Sequence, residues 1–330
     1  MLIKTRAPVR LELGGGATDM APYDEEHNGL VLNATINKYA HASLSLRGDD
    51  KRVLISKDYD LELVLDCQNN YEYDGNLDLV KAVLNLMQPK YQGFNLTVHS
   101  DVPPSSGLGS SASMAIALIG LFNKNLDKKQ MSELAFKLET DELKNVGGRQ
   151  DQYAASHGGL NLMKFLGKDK VIVEDLKLPK YILSELQENL ILVYLGARKS
   201  SGSILKEQQD SYSQEEKVKC LHELKSITNK MYSALKENRL NDFGELLNKE
   251  WETKKQLNPN ITTPDIEKLR ESGFENGAVG SRLMGAGQGG HLLFYVNPYK
   301  NLSFKRAIEK QGYNAENITF RPKGLEKWIF

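Results

Sequence analysis

The chain has 330 residues, 40% of them apolar and 26% charged, the proportions of an ordinary water-soluble globular protein long enough for two domains. Lys plus Arg and Asp plus Glu both number 43, so the formal net charge is zero and nothing points to a nucleic-acid surface or an anionic membrane as partner. The N-terminal MLIKTRAPVRLEL lacks the apolar core of a signal peptide, no run of about 18 apolar residues is long enough to span a bilayer, and two distant cysteines, Cys67 and Cys220, fit a cytoplasmic compartment.

The first 65 residues read mainly as strands, with β-branched and apolar stretches at Leu30–Ile36 and Ala42–Leu46 and turn residues such as Gly48-Asp49-Asp50 between such stretches. Leu79 to Met87 has apolar residues at helical spacing, and Phe94–His99 alternates as a strand does. A Pro/Ser/Gly loop follows and gives way to a continuously apolar helix, Ala112–Phe122. Asp127 and Gln130 are the two halves of a capping box, predicting a helix to about Leu143 with Leu134 and Leu138 facing inward. Gly147-Gly148 breaks it, and a further helix starts near Gln150. A polar loop is expected around Gly167–Lys170, a strand over Leu190–Tyr194, and then a long helical segment carrying Val218, Leu221, Leu224, Met231 and Leu235. Thr263-Pro264 opens another helix as N-cap and first-turn proline, and Gly273 is read as its end. A strand, a second glycine-rich loop (Gly285–Gly290), the strand His291–Val296 and a helix–strand pair complete an α+β architecture.

The most informative segment runs from Pro103 through Ser105, Ser106, Gly107, Leu108, Gly109, Ser110, Ser111 and Ala112 to Ser113. Its glycines allow the backbone to turn with N–H groups exposed, and the following helix adds free donors and the positive end of its dipole. The result is a phosphate cradle whose serine hydroxyls can bond phosphate oxygen or magnesium. No Gly-Lys-Ser/Thr closes it, so it is not a Walker A sequence. The competing reading, a flexible Ser/Gly loop, is weakened by the strand before it and the apolar helix after it. The six histidines show no HExxH spacing and no cysteine neighbours, and are read as surface or core residues.

This segment resembles the Pro-x-x-x-Gly-Leu-Gly-Ser-Ser-Ala motif of the galactokinase, homoserine kinase, mevalonate kinase and phosphomevalonate kinase superfamily. Ala7–Asp19 (APVRLELGGGATD) resembles that family's N-terminal motif, and Met284–Gly290 its C-terminal glycine motif, all three in the family's order. The resemblance implies a two-domain kinase fold with a ribosomal-protein-S5-like domain over 1–175 and a ferredoxin-like domain over 176–330, the site lying in the cleft between them. It also implies ATP and Mg²⁺. Glu139 and Gly147–Ala154 resemble the galactokinase-like branch, which implies that Ser111 and Glu139 hold the metal, that Asp151 takes the proton of the sugar hydroxyl, and that Arg10 is the ionic partner of Asp151. Sugar contacts are expected from Gly14, Gly15, Gly16, Thr18 and Asp19, with Gly287 and Gln288 of the second loop close to the reacting groups; a plain hairpin turn is the alternative for that loop.

Galactokinases carry Gly-Glu-His-Thr-Asp where this chain has Gly15-Gly16-Ala17-Thr18-Asp19, which removes two polar contacts and argues against galactose. LELGGGATD, with Asn33–Tyr39 and Gly147–Tyr153, resembles the D-glycero-D-manno-heptose 7-phosphate kinases. Those phosphorylate the anomeric C1 hydroxyl to the 1,7-bisphosphate, on the route to nucleotide-activated heptose for lipopolysaccharide or capsule. Fucokinases share much of the pattern. A non-catalytic sugar or nucleotide sensor is a third reading, disfavoured by the presence of Asp151, Glu139 and Ser111. A phosphorylated sugar needs a local cationic site on a neutral chain. Arg198 and Lys199, in a loop with three serine hydroxyls over Gly196–Ser203, are one candidate, and Arg149 is the other.

Overall fold

The computed structural model describes residues 1–123, 125–167, 170–197, 206–207, 209, 212 and 214–330. Two long strands, β1 (Leu2–Gly14) and β2 (Gly29–Leu46), pair antiparallel and form the spine of an eight-stranded sheet. β3 (Lys51–Ser56), β4 (Leu61–Asp66) and β5 (Phe94–Ser100) extend it on one side, β5 lying between β2 and β3. β3 and β5 are parallel, joined through β4 and the helix α2 (Asp78–Met87). β6 (Leu160–Phe165) and β7 (Val171–Asp175) attach to the first half of β2. The final strand, β12 (Glu326–Ile329), returns from the far end of the chain to pair with Ile3–Arg6 of β1.

The two stretches Leu30–Ile36 and Ala42–Leu46 belong to one strand, which carries a register shift: Pro8 pairs with Tyr39, but Arg10 pairs with Thr35. Such irregularities release backbone groups from the ladder and re-aim side chains. Here the Arg10 N–H leaves the ladder and donates to the Leu108 carbonyl at 3.0 Å, tying β1 to the first glycine-rich loop.

Behind that loop runs α3 (Ser110–Phe122), in which Ala112 through Leu121 are all buried, as its continuous apolar sequence requires. The capping box at Asp127 forms, with Gln130 N–H donating to Asp127 Oδ1 at 2.8 Å, and opens α4 (Lys128–Lys137). The expected α-helix to Leu143 changes at Leu138–Glu142 into a single π turn, a device common at functional sites. That turn buries Leu138 and Glu139. α5 (Gln150–His157) follows where Gly147-Gly148 allowed it.

The second sheet contains β8 (Leu190–Tyr194), β9 (Ala278–Leu283), β10 (His291–Val296) and β11 (Ala315–Asn317) in the order β11-β8-β10-β9. Around it lie α6 (Lys180–Asn189), α7 (Glu215–Lys236), α8 (Leu240–Leu257), α9 (Pro264–Glu275) and α10 (Asn301–Glu309), while the short α1 (Tyr23–His27) precedes β2. The long helical segment is thus followed by a second helix, α8, after Asn238 takes a left-handed φ of 57°. α9 starts as expected, Thr263 accepting from Ile266 N–H at 3.3 Å, but continues past Gly273. Gly273 is not a stop; its missing side chain lets the helix lie directly on the Phe294 ring of β10. One apolar cluster, including Leu11, Leu13, Leu192, Met231, Phe243 and Tyr295, runs unbroken between the two sheets. Among the described residues, no helix is long and apolar enough to cross a membrane.

Candidate active site

The two glycine-rich loops meet. Gly107, at φ 85°, lies against the Met284 carbonyl, Gly290 lies against the Ser106 carbonyl, and His291 Nδ1 is 2.9 Å from the same Ser106 oxygen. A side chain at either glycine would force the loops apart. Between these loops, β1 and α8 lies a cavity of about 290 Å³, lined on one side by Ser105, Ser106, Gly107, Gly109, Ser110, Ser111 and Ala112. Leu108 points away into the core. Gly109 caps α3 without any side-chain bond, so the first-turn N–H groups of this 13-residue helix remain available beside the cavity. The Ser106 hydroxyl is buried with no partner among the described residues. An anion with several oxygens satisfies both.

Asp151, in the first turn of α5, faces this cradle. Arg10 donates to it twice, Nε to Oδ1 at 2.7 Å and Nη2 to Oδ2 at 2.8 Å, and spends Nη1 on the Gly107 carbonyl at 2.7 Å. Burial works against the Arg10 charge, but Asp151, Glu12 and Asp19 together raise its pKa, so it remains a cation. The Asp151 side chain is 24% exposed against 6% for Arg10, so the carboxylate stays open to the cleft while its partner is fixed behind it. Gly109 makes room for it, since a β-carbon there, at φ 71°, would lie 2.9 Å from Asp151 Oδ2.

On the other side of Asp151, the π turn presents Glu139. It accepts from Ser111 Oγ at 2.6 Å and from Gln152 Nε2 at 2.7 Å. Burial pushes the Glu139 carboxyl up, against the lowering effect of those two bonds. A buried carboxylate beside a hydroxyl at the edge of an anion cradle is a hard oxygen donor set, and it fits Mg²⁺.

The N-terminal motif enters the site differently from its sequence reading. Gly14 packs on Met231, Gly15 (φ 81°) on the Leu30 carbonyl, and Gly16 on the Glu12 carboxylate. Thr18 is fully buried, its hydroxyl donating to the Gly15 carbonyl at 2.7 Å and accepting from Leu30 N–H at 3.0 Å, so it pins the loop. These four shape the loop without lining the cavity; Glu12, Ala17, Asp19 and Met20 do line it. Asp19 accepts from the Gln150 backbone N–H at 3.1 Å, and its carboxyl is pushed up to about 7, chiefly by burial and then by the nearby Glu12 and Asp151 charges.

Glu12 and Lys254 carry no signal in the sequence. Glu12 Oε1 takes Lys254 Nζ at 2.7 Å and also Arg282, while Oε2 takes Gln150 Nε2 at 3.2 Å. Burial pushes Glu12 up, but Lys254 and Arg282 outweigh it and hold the carboxyl far below the usual range. Arg282 reaches on to Glu250 at 2.9 Å, completing a buried chain of alternating charge from β1 to α8 and β9.

Of the other expected residues, Gly285 and Ala286 of the second loop line the cavity, whereas Gly287 packs on Ile261 and Gln288 donates to the Ile261 and Asn260 carbonyls. Arg149 is turned away, donating to the buried Asp24 at 2.6 Å and the Gly167 carbonyl at 2.8 Å, with Phe136 against its guanidinium. Arg198 and Lys199 lie outside the described residues. A second cavity, of about 650 Å³, opens from the first across Ser105, Ser110 and Ser111. Leu61, Leu77, Leu79, Val98, Val102 and Met114 give it apolar walls, with Asp58 and Asn76 at hand. Away from both cavities, His41 and His99 face each other across β2 and β5, and with Asp101 bring three ligand atoms within 4.8 Å of one another.

The chain is similar to known proteins along its whole length. Residues 78–159 match the GHMP kinases N terminal domain, and residues 231–314 match GHMP kinases C terminal. The D-glycero-alpha-D-manno-heptose 7-phosphate kinase of Campylobacter jejuni is 31% identical over 99% of this chain and 98% of its own. A crystal structure described as a D-glycero-D-manno-heptose 1-phosphate kinase, from Bacteroides thetaiotaomicron, superposes with a TM-score of 0.84 at 28% identity, covering 99% of both chains. The L-fucokinase/L-fucose-1-P guanylyltransferase of Bacteroides fragilis is 27% identical over 97% of this chain and 38% of its own. Fold and site together define a phosphotransferase that acts on a sugar hydroxyl. The chain belongs to the GHMP kinases, and its α+β fold is the one that family has.

Proposed function

We propose that the protein transfers the γ-phosphoryl group of ATP to the anomeric C1 hydroxyl of D-glycero-D-manno-heptose 7-phosphate, giving the 1,7-bisphosphate. The observation that carries the chemistry is the Arg10-held Asp151 carboxylate, open to the cleft, at the edge of the α3 cradle. The apolar cavity takes the nucleotide base, and the shared serines mark where the phosphates pass into the polar cavity holding the sugar. In-line transfer needs a positioned nucleophile and donors around the moving phosphoryl group. The C1 oxygen bonds to the γ-phosphorus as the bond to ADP breaks, and Asp151 accepts the hydroxyl proton while Arg10 fixes its orientation. Ser111 and Glu139 would hold Mg²⁺, which when bound neutralises phosphate charge.

For the sugar, support comes from the heptose kinase relative matched along the whole chain and from Ala17 standing where galactokinases have histidine. The two heptose kinases are named for different phosphates, 7-phosphate and 1-phosphate, so the position of transfer has to be measured. The fucokinase relative makes L-fucose the second reading. ADP release measured with heptose 7-phosphate, unphosphorylated heptose, L-fucose and D-galactose tests the assignment. Heptose 7-phosphate should give the highest kcat/KM; preference for L-fucose or galactose would reassign the substrate. The substrate's phosphate is assigned to the Arg198–Lys199 loop on its sequence chemistry, since Arg149 is committed to Asp24.

A further inference from the structure

The floor of the polar cavity contains two buried groups that the protein leaves half-answered. Lys254, on the last turn of α8, is 4% exposed, and among the described residues its ammonium has one acceptor, Glu12 Oε1 at 2.7 Å. An ammonium has three N–H donors, so two remain, on a residue that lines the cavity. Gln150 beside it donates its amide N–H₂ to Glu12 Oε2 at 3.2 Å and to Asp19 Oδ1 at 3.3 Å. Because the ionised Glu12 can only accept, the nitrogen is fixed on that side. The amide oxygen, Gln150 Oε1, is then left buried with no partner among the described residues. Both groups are bonded to the two oxygens of one carboxylate, and both residues line the same cavity.

Buried polar groups are rarely left without partners, and these two line the cavity beside Asp151, where a bound sugar would meet them. The occupant must accept from Lys254 and donate to Gln150. A hydroxyl does both with a single oxygen, whereas a phosphate dianion only accepts. Charge agrees. Lys254 and Arg282 are already matched by Glu12 and Glu250, which leaves no excess positive charge for a dianion. We infer that Lys254 and Gln150 together read one ring hydroxyl of the sugar, and that Lys254 does not serve the substrate's phosphate. This rests on the reading of the cleft as a sugar site, and it makes Lys254 a specificity-determining residue.

The test uses the wild-type protein and Lys254→Met with heptose 7-phosphate, its mono-deoxy analogues and unphosphorylated heptose. On the wild type, one ring-deoxy analogue should lose at least about tenfold in kcat/KM, because it leaves both buried groups unanswered. Lys254→Met should lose about tenfold or more on the parent sugar, through KM, and the penalty for that same analogue should be clearly smaller on the variant than on the wild type, since only Gln150 is left to read the hydroxyl. It should also lose the same factor on phosphorylated and unphosphorylated heptose, with nucleotide affinity unchanged. If the loss appears only with the phosphorylated sugar, Lys254 binds the phosphate and the inference is overturned. If Lys254→Met does not fold, the wild-type series decides alone, and no penalised analogue overturns the inference. A wild type that releases no ADP with any sugar overturns the sugar-kinase reading itself, and this inference with it.

Discussion

Arg10 grips both oxygens of Asp151, with donor–acceptor distances of 2.7 and 2.8 Å, although 141 residues separate them in the sequence. The irregularity in β2 frees the Arg10 backbone for Leu108, and the third guanidinium bond goes to Gly107, so the pair is anchored to the cradle itself. Asp151→Asn keeps the size of the side chain but removes the carboxylate proposed to accept the proton. Its kcat should fall by roughly 10²–10⁴ with ATP affinity nearly unchanged. Single-turnover kinetics beside a nucleotide-binding titration checks this, and near wild-type turnover would remove Asp151 from the mechanism.

Glu139→Gln leaves Ser111 without its carboxylate partner but keeps a group of the same shape. If Glu139 is the ligand proposed, the magnesium concentration for half-maximal rate should rise by about tenfold, the scale of losing one charge-assisted interaction. A magnesium titration at fixed ATP gives the answer, and an unchanged requirement would count against Glu139 as a ligand.

Gly109→Ala tests how tightly cradle and carboxylate are fitted. The φ of 71° disfavours alanine, and the new β-carbon would press on Asp151 Oδ2. Stability should fall by about 1 kcal/mol or more, and kcat should fall further than that loss accounts for. Thermal melts with steady-state kinetics separate the two effects.

Asp19 and Glu12 act on stability in opposite directions, in different pH windows. Asp19 is raised by burial to about 7 from an unfolded value of 3.8, so between these values the folded protein binds more protons and stability is lost as pH rises. Glu12 is held low, so its contribution is present above 4.5 and lost only in acid. Asp19→Asn should therefore flatten the fall in Tm between pH 5 and 8 and leave acid unfolding in place. A pH series of melts that is parallel for wild type and variant would refute the Asp19 assignment.

Arg282→Met removes the cation between two buried carboxylates, Glu12 and Glu250. Breaking such a pair typically costs about 3–5 kcal/mol. Urea unfolding should show a loss of that order, and a loss below about 1 kcal/mol would mean that Lys254 alone neutralises the cluster.

What the sequence reveals about this site is its local chemistry. The glycine-rich loop and the helix after it are legible because glycines, serines and an apolar run are adjacent in the chain, and the Asp127 capping box reads correctly because its two halves are three residues apart. Glu12 and Lys254 are 242 residues apart, and nothing near either marks the other. Arg149 stands next to Gln150 in sequence yet faces Asp24, because the first turn of α5 sends successive side chains in different directions. Thr18 looks like a sugar ligand within its motif, but its hydroxyl is consumed by the turn it closes. The π turn at Glu139 is also invisible, since nothing in the apolar spacing of the segment marks where the helix changes its hydrogen-bond step.

The central claim is phosphoryl transfer to C1 of a heptose that already carries a phosphate at C7, and the measurement that tests it most directly is NMR of the product. Incubation with ATP, Mg²⁺ and D-glycero-D-manno-heptose 7-phosphate should give one new sugar phosphorus signal coupled to the anomeric proton, with the original phosphate signal retained. A new phosphate coupled to any other ring proton, or no new sugar phosphate while L-fucose or galactose is phosphorylated under the same conditions, would contradict it.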